Sequence, residues 1–172
     1  HLLLFLKRSA FVVAADNEFI RGAVRGHFEG TGISGEVATN YFDKLIQVPL
    51  HVPRLGINEA KAYLALLLME RAHADGHFDT NMFDAAKQAI PSRLQTSWKG
   101  DAITTEFLQS QVGTGDMRMV ELMQLAEGLA PLLTKSTSVN ANPRLMKRFL
   151  NTVYLRSSLA GPQGIDLDIP SL

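Results

Sequence analysis

The sequence contains no cysteine among its 172 residues. Disulfide bonds and cysteine-ligated metal sites are therefore excluded, and the composition suits a reducing cytoplasm. The chain also carries no formal net charge, because 17 Lys and Arg residues balance 17 Asp and Glu residues. Proteins dedicated to nucleic-acid binding usually have a basic surplus, so the charge balance argues against that class of function.

The start of the chain lacks an apolar run of membrane length. The run from Leu2 to Leu6 is too short to span a bilayer, and Lys7 and Arg8 interrupt it. No positively charged segment precedes the run, so it does not have the pattern of a signal peptide. Because the chain opens inside an apolar segment without an initiator methionine, we expect it to be a piece of a longer protein that begins within a helix.

A phosphate-binding loop of the form G-x-x-x-x-G-K-[ST] is also missing from these residues. The Gly-rich stretches GTGISGE, residues 30–36, and GTGD, residues 113–116, have neither its lysine nor its spacing. A nucleotide bound by this chain alone would therefore lack the main cradle for its phosphates.

Residues 1–55 have the pattern of half of an α/β layer. The short apolar segments AFVVAAD, residues 10–16, and IQVPLHV, residues 46–52, are typical of strands, the first buried on both faces and the second an edge strand containing Pro49. Helices are expected around these strands, at residues 1–8, 18–25 and 36–45, with a Gly-rich loop over 27–36. We therefore predict an α/β arrangement for this part.

Residues 56–160 contain a series of helix start and stop signals. They predict an all-helical domain, and with it a chain that is predominantly helical. Asn58 is expected to cap the first helix, and Gly76 follows its end. Asn142 is expected to cap the last helix, with Pro143 at its first position, where a missing N–H costs nothing. The other helices are expected at residues 79–90, 92–98 and from Asp116, and residues 161–172 form a loop-like tail.

Asp16 ends the first apolar segment and precedes a helix. Polar residues at the carboxyl end of a buried strand often orient water or phosphate, which makes Asp16 a candidate for the site. A second functional interpretation takes VVAADNE as a strand that ends in a Mg²⁺-binding Asp16, with Glu18 as the base. The structural alternative is that Asp16 or Asn17 only caps the helix, which is the most common role of such residues at a helix start.

Two further side-chain patterns have mainly structural explanations. His73 and His77 are four residues apart, a spacing that can hold zinc on one helix, but Gly76 is expected to end the helix before His77. Met117, Met119 and Met123, with Leu122 and Leu125, are expected to pack in a core, since methionine fills irregular gaps.

Arg144, Lys147 and Arg148 share one face of the last predicted helix. They lie in its first turns, where the helix dipole disfavours cations, so a partner anion would relieve an unfavourable interaction. A phosphate contact is one interpretation. The alternative is a solvated face, or pairing with carboxylates of neighbouring helices.

Four segments, in this order along the chain, together resemble the C-terminal half of a KAP-family P-loop NTPase, a relative of the AAA+ and STAND ATPases. They are FVVAADNEFIRGAV, YFDKLIQVPLHVP, NEAKAYLALLL and NPRLMKRFLNTVYLR. The resemblance covers residues 1–56 and 140–156 most closely. It implies the distal part of a P-loop α/β core over residues 1–55, a helical lid over 56–160 and a tail over 161–172, with both Walker motifs upstream.

The resemblance also implies roles for individual residues. Asp16 is similar to the polar sensor residue near the attacking water and the γ-phosphate, and Asn17 beside it would contact nucleotide. YFDKLIQVP is similar to a corner whose basic residues reach a neighbouring subunit's nucleotide, with Lys44 as the retained cation and Tyr41 in place of an arginine. Arg144 is similar to the lid arginine that reaches the γ-phosphate, and Lys147 and Arg148 would make secondary phosphate or partner contacts.

The function implied by the resemblance is ATP binding and hydrolysis, with Mg²⁺, in a longer cytoplasmic protein that drives a conformational or assembly switch. It further implies a homo-oligomer or larger complex, a role in bacterial defence against phage or plasmids, and membrane association only through upstream segments. The fragment alone is expected to be inactive and to hold neither ATP nor Mg²⁺. The alternative is a non-catalytic helical module that binds a protein or nucleic acid through its last helix.

Overall fold

A computed structural model describes most of the chain. It covers residues 8–32, 34, 36, 37, 40, 44, 46, 48–113 and 117–160. The chain divides into two compact units, residues 1–52 and residues 53–172. Each unit is described by itself.

The first unit contains helix α1, Asn17–Phe28, whose N-cap is Asp16. The cap is made because Asp16 has extended backbone and its Oδ1 accepts a hydrogen bond from the backbone N–H of Phe19 at 2.9 Å. The helix begins one residue before the predicted start and runs three residues past the predicted end. Residues 36, 37, 40 and 44 are helical too, as expected for the second predicted helix.

The two predicted strands are not formed in the described part of the first unit. Residues 9–16 have no helix or strand assignment, and Phe11, Val12 and Val13 are exposed rather than buried. The described residues of the second segment, 46 and 48–52, are likewise unpaired, with Leu50 exposed. A strand needs a neighbouring strand to satisfy its backbone groups, and the described residues contain none. The predicted α/β part is therefore not seen there.

The second unit is an all-helical bundle, as predicted for this part of the chain. Its helices are α2 (Ile57–Ala74), α3 (Thr80–Leu94), α4 (Thr105–Val112), α5 (Met117–Lys135) and α6 (Pro143–Ala160), with a 3₁₀ turn at Ser97–Lys99. Helix α2 contacts α3, α5 and α6, and its most extensive contact is with α5. The core therefore lies around α2.

Helix α2 is buried on most of its surface because its sequence is apolar nearly all round. Its buried residues are Ala60, Ala62, Leu64, Ala65, Leu68, Met69 and Ala72. A pairing between Lys61 Nζ and Glu127 Oε1 at 3.0 Å joins α2 to α5, and the Lys61 side chain is only 12% exposed. Of the predicted core methionines, Met119 and Met123 are fully buried, whereas Met117 is exposed.

Several predicted helix boundaries are wrong for local reasons. The N-cap of α2 is Gly56, so Asn58 lies inside the first turn. Helix α3 does not stop at Pro91 but continues to Leu94, because Ile90 is buried and the backbone N–H of Gln95 still bonds to Pro91 O. Burial of Ile90 and partial burial of Leu94 outweigh the one hydrogen bond that the proline removes.

The start of α6 is confirmed. Asn142 Oδ1 accepts a hydrogen bond from the backbone N–H of Arg144 at 3.0 Å, and Pro143 is the first helical residue. Among the described helices, none combines the length and the hydrophobicity that crossing a bilayer requires.

Because α2 is the centre of the bundle, Leu64→Ala is expected to lower the free energy of unfolding of the second unit by about 2–5 kcal/mol. Leu64 is fully buried, so the substitution removes core contacts and leaves a cavity. Urea denaturation of the full chain, followed by circular dichroism, measures the effect. Leu132→Ala is the matched control, since Leu132 is 66% exposed and its loss is expected to change stability by less than about 1 kcal/mol. Equal losses in the two variants would contradict the assignment of the core.

Candidate functional site

Helix α6 presents a face of unpaired cations. It contains no acidic residue, and Arg144, Lys147, Arg148 and Arg156 are all exposed. Within the described part of the chain, none of these four makes an ion pair. The structural alternative of pairing with neighbouring carboxylates is therefore not seen among those residues, and the cations are free to bind an anion.

The cations of α6 are held in place by the opposite side of the helix. Met146 and Leu150 point into the core and are almost fully buried. Because residues three or four apart share a helix face, burying these two leaves Arg144, Lys147 and Arg148 toward solvent. The cap by Asn142 fixes the first turn, so Arg144 is presented from an ordered backbone.

Beside this face lies a groove between α2 and α6, of about 560 Å³. Leu67, Leu150 and Leu155 supply apolar surface, while Arg71 and Lys147 supply positive charge. Glu70 adds one carboxylate, and Tyr154 adds a phenol. We refer to it as the α2–α6 groove. The groove is open to solvent. Its lining includes one predicted site residue, Lys147 of α6, together with Arg71 of α2.

Arg71 links the two walls of the groove. Its Nε donates to Asp75 Oδ2 at 2.9 Å, and its guanidinium lies over the Tyr154 ring, 5.5 Å from the ring centroid. Burial raises the pKa of the Tyr154 hydroxyl above its ordinary value, and the nearby Arg71 charge partly opposes that rise. Sequence reasoning did not single out Arg71 or Tyr154. The available signal was that Tyr154 lies on the same helical face as Lys147 and Leu150.

The predicted site residues of the first unit that the structure describes are exposed residues at or within helices. Asp16 and Asn17 are exposed at the start of α1, where Asp16 caps the helix and Asn17 Oδ1 accepts from Arg21 Nε at 3.2 Å. The capping interpretation of Asp16 is thus observed, and one of its oxygens makes the cap bond. Lys44 is exposed and helical, whereas Tyr41 and Asp43 lie outside the described residues.

The two histidines lie on either side of the end of helix α2. Helix α2 ends at Ala74, so His73 and His77 do not share one helix. His73 Nδ1 lies 3.0 Å from Phe78 O, and its ring stacks on Phe83 with centroids 5.1 Å apart. Among the described residues, no cluster of three or more His, Asp or Glu side chains could hold a metal ion.

The environment of Tyr154 predicts its titration. In alkaline difference spectroscopy against Tyr154→Phe, the Tyr154 phenol is expected to ionise above pH 10, its ordinary pKa being about 10. Since the folded-state pKa is raised, the fold holds this proton more tightly than the unfolded chain does. Tyr154 therefore contributes stability that is present below pH 10 and lost as the pH rises through the raised pKa. Arg71→Gln should raise the pKa further, and an unchanged or lower value in that variant would contradict the contact.

Comparison with known proteins gives one family. The sequence profile described as the KAP family P-loop domain matches residues 1–160. Curated protein sequences and solved structures give no match to the chain. The matched range spans both compact units, including the cation-bearing helix α6, and we conclude that the chain belongs to the KAP family of P-loop NTPases.

Proposed function

We propose that this chain is part of an ATP-binding and ATP-hydrolysing enzyme, in which Arg144 of α6 contacts the terminal phosphates of the nucleotide. The family match over residues 1–160 supports a nucleotide-binding NTPase. The observation that carries the assignment within the chain is the unpaired Arg144 on the capped first turn of α6. An unpaired guanidinium on an ordered turn suits a polyphosphate, which it can bind in a bidentate manner.

The described residues fit the phosphates of ATP and not its Mg²⁺ ion. Arg144, Lys147 and Arg148 supply unpaired positive charge, but no group of three or more potential metal ligands is present among the described residues. When bound, Mg²⁺ would supply positive charge to the phosphates, and the cations of α6 would add to it. In this proposal the phosphate loop and the metal-binding acid come from outside the 172 residues, and the fragment alone is inactive.

Each of the proposed site residues has a separate task. Arg144 would stabilise the charge on the γ-phosphate, with Lys147 and Arg148 as secondary phosphate or partner contacts. Asp16 would orient the attacking water, Asn17 would contact nucleotide beside it, and Lys44 would reach the nucleotide of a neighbouring subunit. Hydrolysis would then release α6 from the phosphate, and the helical unit would shift as the switch.

The wider setting is proposed on the family resemblance. It consists of a homo-oligomer or larger complex assembled through the NTPase domain, a cytoplasmic location, and a role in bacterial defence against phage or plasmids. A fold supports many roles, so these statements depend on the enzyme activity being found first.

In the complete gene product, Arg144→Ala is expected to lower kcat for ATP hydrolysis by about 100-fold, as loss of a transition-state contact does. Arg144→Lys should recover part of the rate, because lysine keeps the charge but not the bidentate geometry. Arg156→Ala is the matched control, since Arg156 is an exposed cation of the same helix. Lys44→Ala is expected to lower turnover only in the assembled oligomer.

Two results would count against this assignment. If Arg144→Ala and Arg156→Ala lower turnover equally, the effect comes from the general charge of α6. If Arg144→Ala leaves turnover unchanged but removes a salt-dependent binding of DNA, the binding-module alternative is supported instead.

Asp16 can be tested apart from its capping role. Asp16→Ser keeps a side chain that caps helices well but removes the carboxylate, so the helix content and stability should change little. If Asp16 orients the attacking water, turnover in the complete gene product falls by about 100-fold or more, since about 100-fold is the lower end of the range for general acid–base groups. Unchanged turnover would show that Asp16 is a cap alone. Circular dichroism of both proteins provides the control.

A further inference from the structure

The α2–α6 groove has a mixed lining, in which apolar side chains lie beside two cations and one carboxylate, that of Glu70. Leu67, Leu150 and Leu155 line it with apolar surface, and Lys147 brings a cation that has no ion pair within the described residues. Arg71, its second cation, is already paired with Asp75. Nothing in this arrangement requires a nucleotide, so the groove is open to a different occupant from the one proposed for Arg144.

The charge of α6 points to an acidic occupant. The helix carries Arg144, Lys147, Arg148 and Arg156 and no Asp or Glu. Even with Arg144 committed to a phosphate, three cations on this helix stay without a carboxylate in the described part of the chain. Clustered like charges repel one another, and a neighbouring anionic segment would relieve that repulsion.

The sequence immediately after α6 has the complementary chemistry. Residues 161–172 lie outside the described residues, and they contain no Lys or Arg. Within them, Ile165, Leu167 and Ile169 alternate with Asp166 and Asp168. In an extended chain, alternate side chains point to opposite sides, so the three apolar side chains would share one side and the two carboxylates the other.

The distances also fit. Lys147 and Ala160 are separated by about 20 Å along α6, at 1.5 Å per residue. If residues 161–164, which include Gly161, Pro162 and Gly164, reverse the chain, an extended path from there to Asp168 covers about 13 Å at 3.3 Å per residue. Running back along α6, it would bring Asp168 level with Asn151, one helical turn from Lys147. The lysine side chain spans the remaining distance.

We propose that residues 165–169 of the same chain dock in the α2–α6 groove, with Ile165, Leu167 and Ile169 toward its leucines and the carboxylates toward Lys147. The docked segment would cover Lys147 and neutralise part of the charge of α6. The proposal depends on the groove and the tail, and it holds whether or not the chain takes part in ATP hydrolysis.

Disulfide trapping in the full chain tests this directly, since the protein has no cysteine of its own to compete. The trap is Asn151→Cys with Leu167→Cys, which places one thiol in the groove lining and one in the tail. A disulfide needs the two Cα atoms within about 7 Å, so it reports close approach. We expect the intramolecular disulfide to form at least about tenfold faster than in Asn81→Cys with Leu167→Cys, because docking raises the local concentration of the tail thiol.

The matched control also replaces an exposed asparagine, Asn81 of α3, which lies outside the α2–α6 groove. Adding Asp166→Asn and Asp168→Asn to the trap should remove the advantage, since the carboxylates then lose their charge. Equal rates in trap and control, or an advantage that survives loss of both charges, would overturn the proposal. A disulfide that forms only between chains, in proportion to protein concentration, would show a second copy's tail in the groove and also overturn it.

A second measurement uses the protein without cysteines, in case a trapped variant fails to fold. Lys147 should be acetylated at least about threefold more slowly in the natural chain than in Asp166→Asn with Asp168→Asn, because a paired, covered amine is less available. Lys87, an exposed lysine of α3, should react equally in both proteins. Equal acetylation of Lys147 in the two proteins would contradict docking.

Discussion

The burial of helix α2 is the constraint on which the second unit depends, because α3, α5 and α6 all contact it. Its buried positions include alanines, such as Ala60 and Ala65, and larger residues, such as Leu64 and Leu68. The alanines let neighbouring helices come close, and the leucines fill the spaces between them, as dense packing of a core requires. Met146 and Leu150 of α6 belong to the same buried cluster as these residues of α2.

That burial decides what α6 can do. Because the apolar side of the helix is used for packing, its cations face solvent, and the described residues provide no carboxylate to pair with them. Arg144 lies near the N-terminus of α6, where the helix dipole disfavours a cation, and a bound anion would offset that cost. The same packing creates the α2–α6 groove, in which Lys147 of α6 and Arg71 of α2 contribute charge to one surface. The exposed cations of α6 and the α2–α6 groove thus arise from a single packing arrangement.

Features that depend only on neighbouring residues can be predicted from the sequence, whereas features that depend on distant parts of the chain cannot. The start of α6 follows from Asn142 and Pro143 alone, and it was predicted correctly. The end of α3 was not, because whether a helix continues past Pro91 depends on burial of its flanks, which no local rule contains. The strand at residues 10–16 has the right composition, but a strand exists only with a partner, and the described residues supply none. The composition of residues 10–16 therefore favours a strand, but a strand forms only when another segment pairs with it.

By itself, the sequence determined the family, the helical character of residues 56–160 and the row of cations on the last helix, since these follow from motif order and helical periodicity. Only the tertiary structure decided that Arg71 and Tyr154 meet, that Lys61 pairs with Glu127, and that Lys147 lines a groove. These contacts join residues that are far apart along the chain. Their position is set by which faces of α2 the other helices bury, and periodicity within one helix does not specify which partner covers a given face.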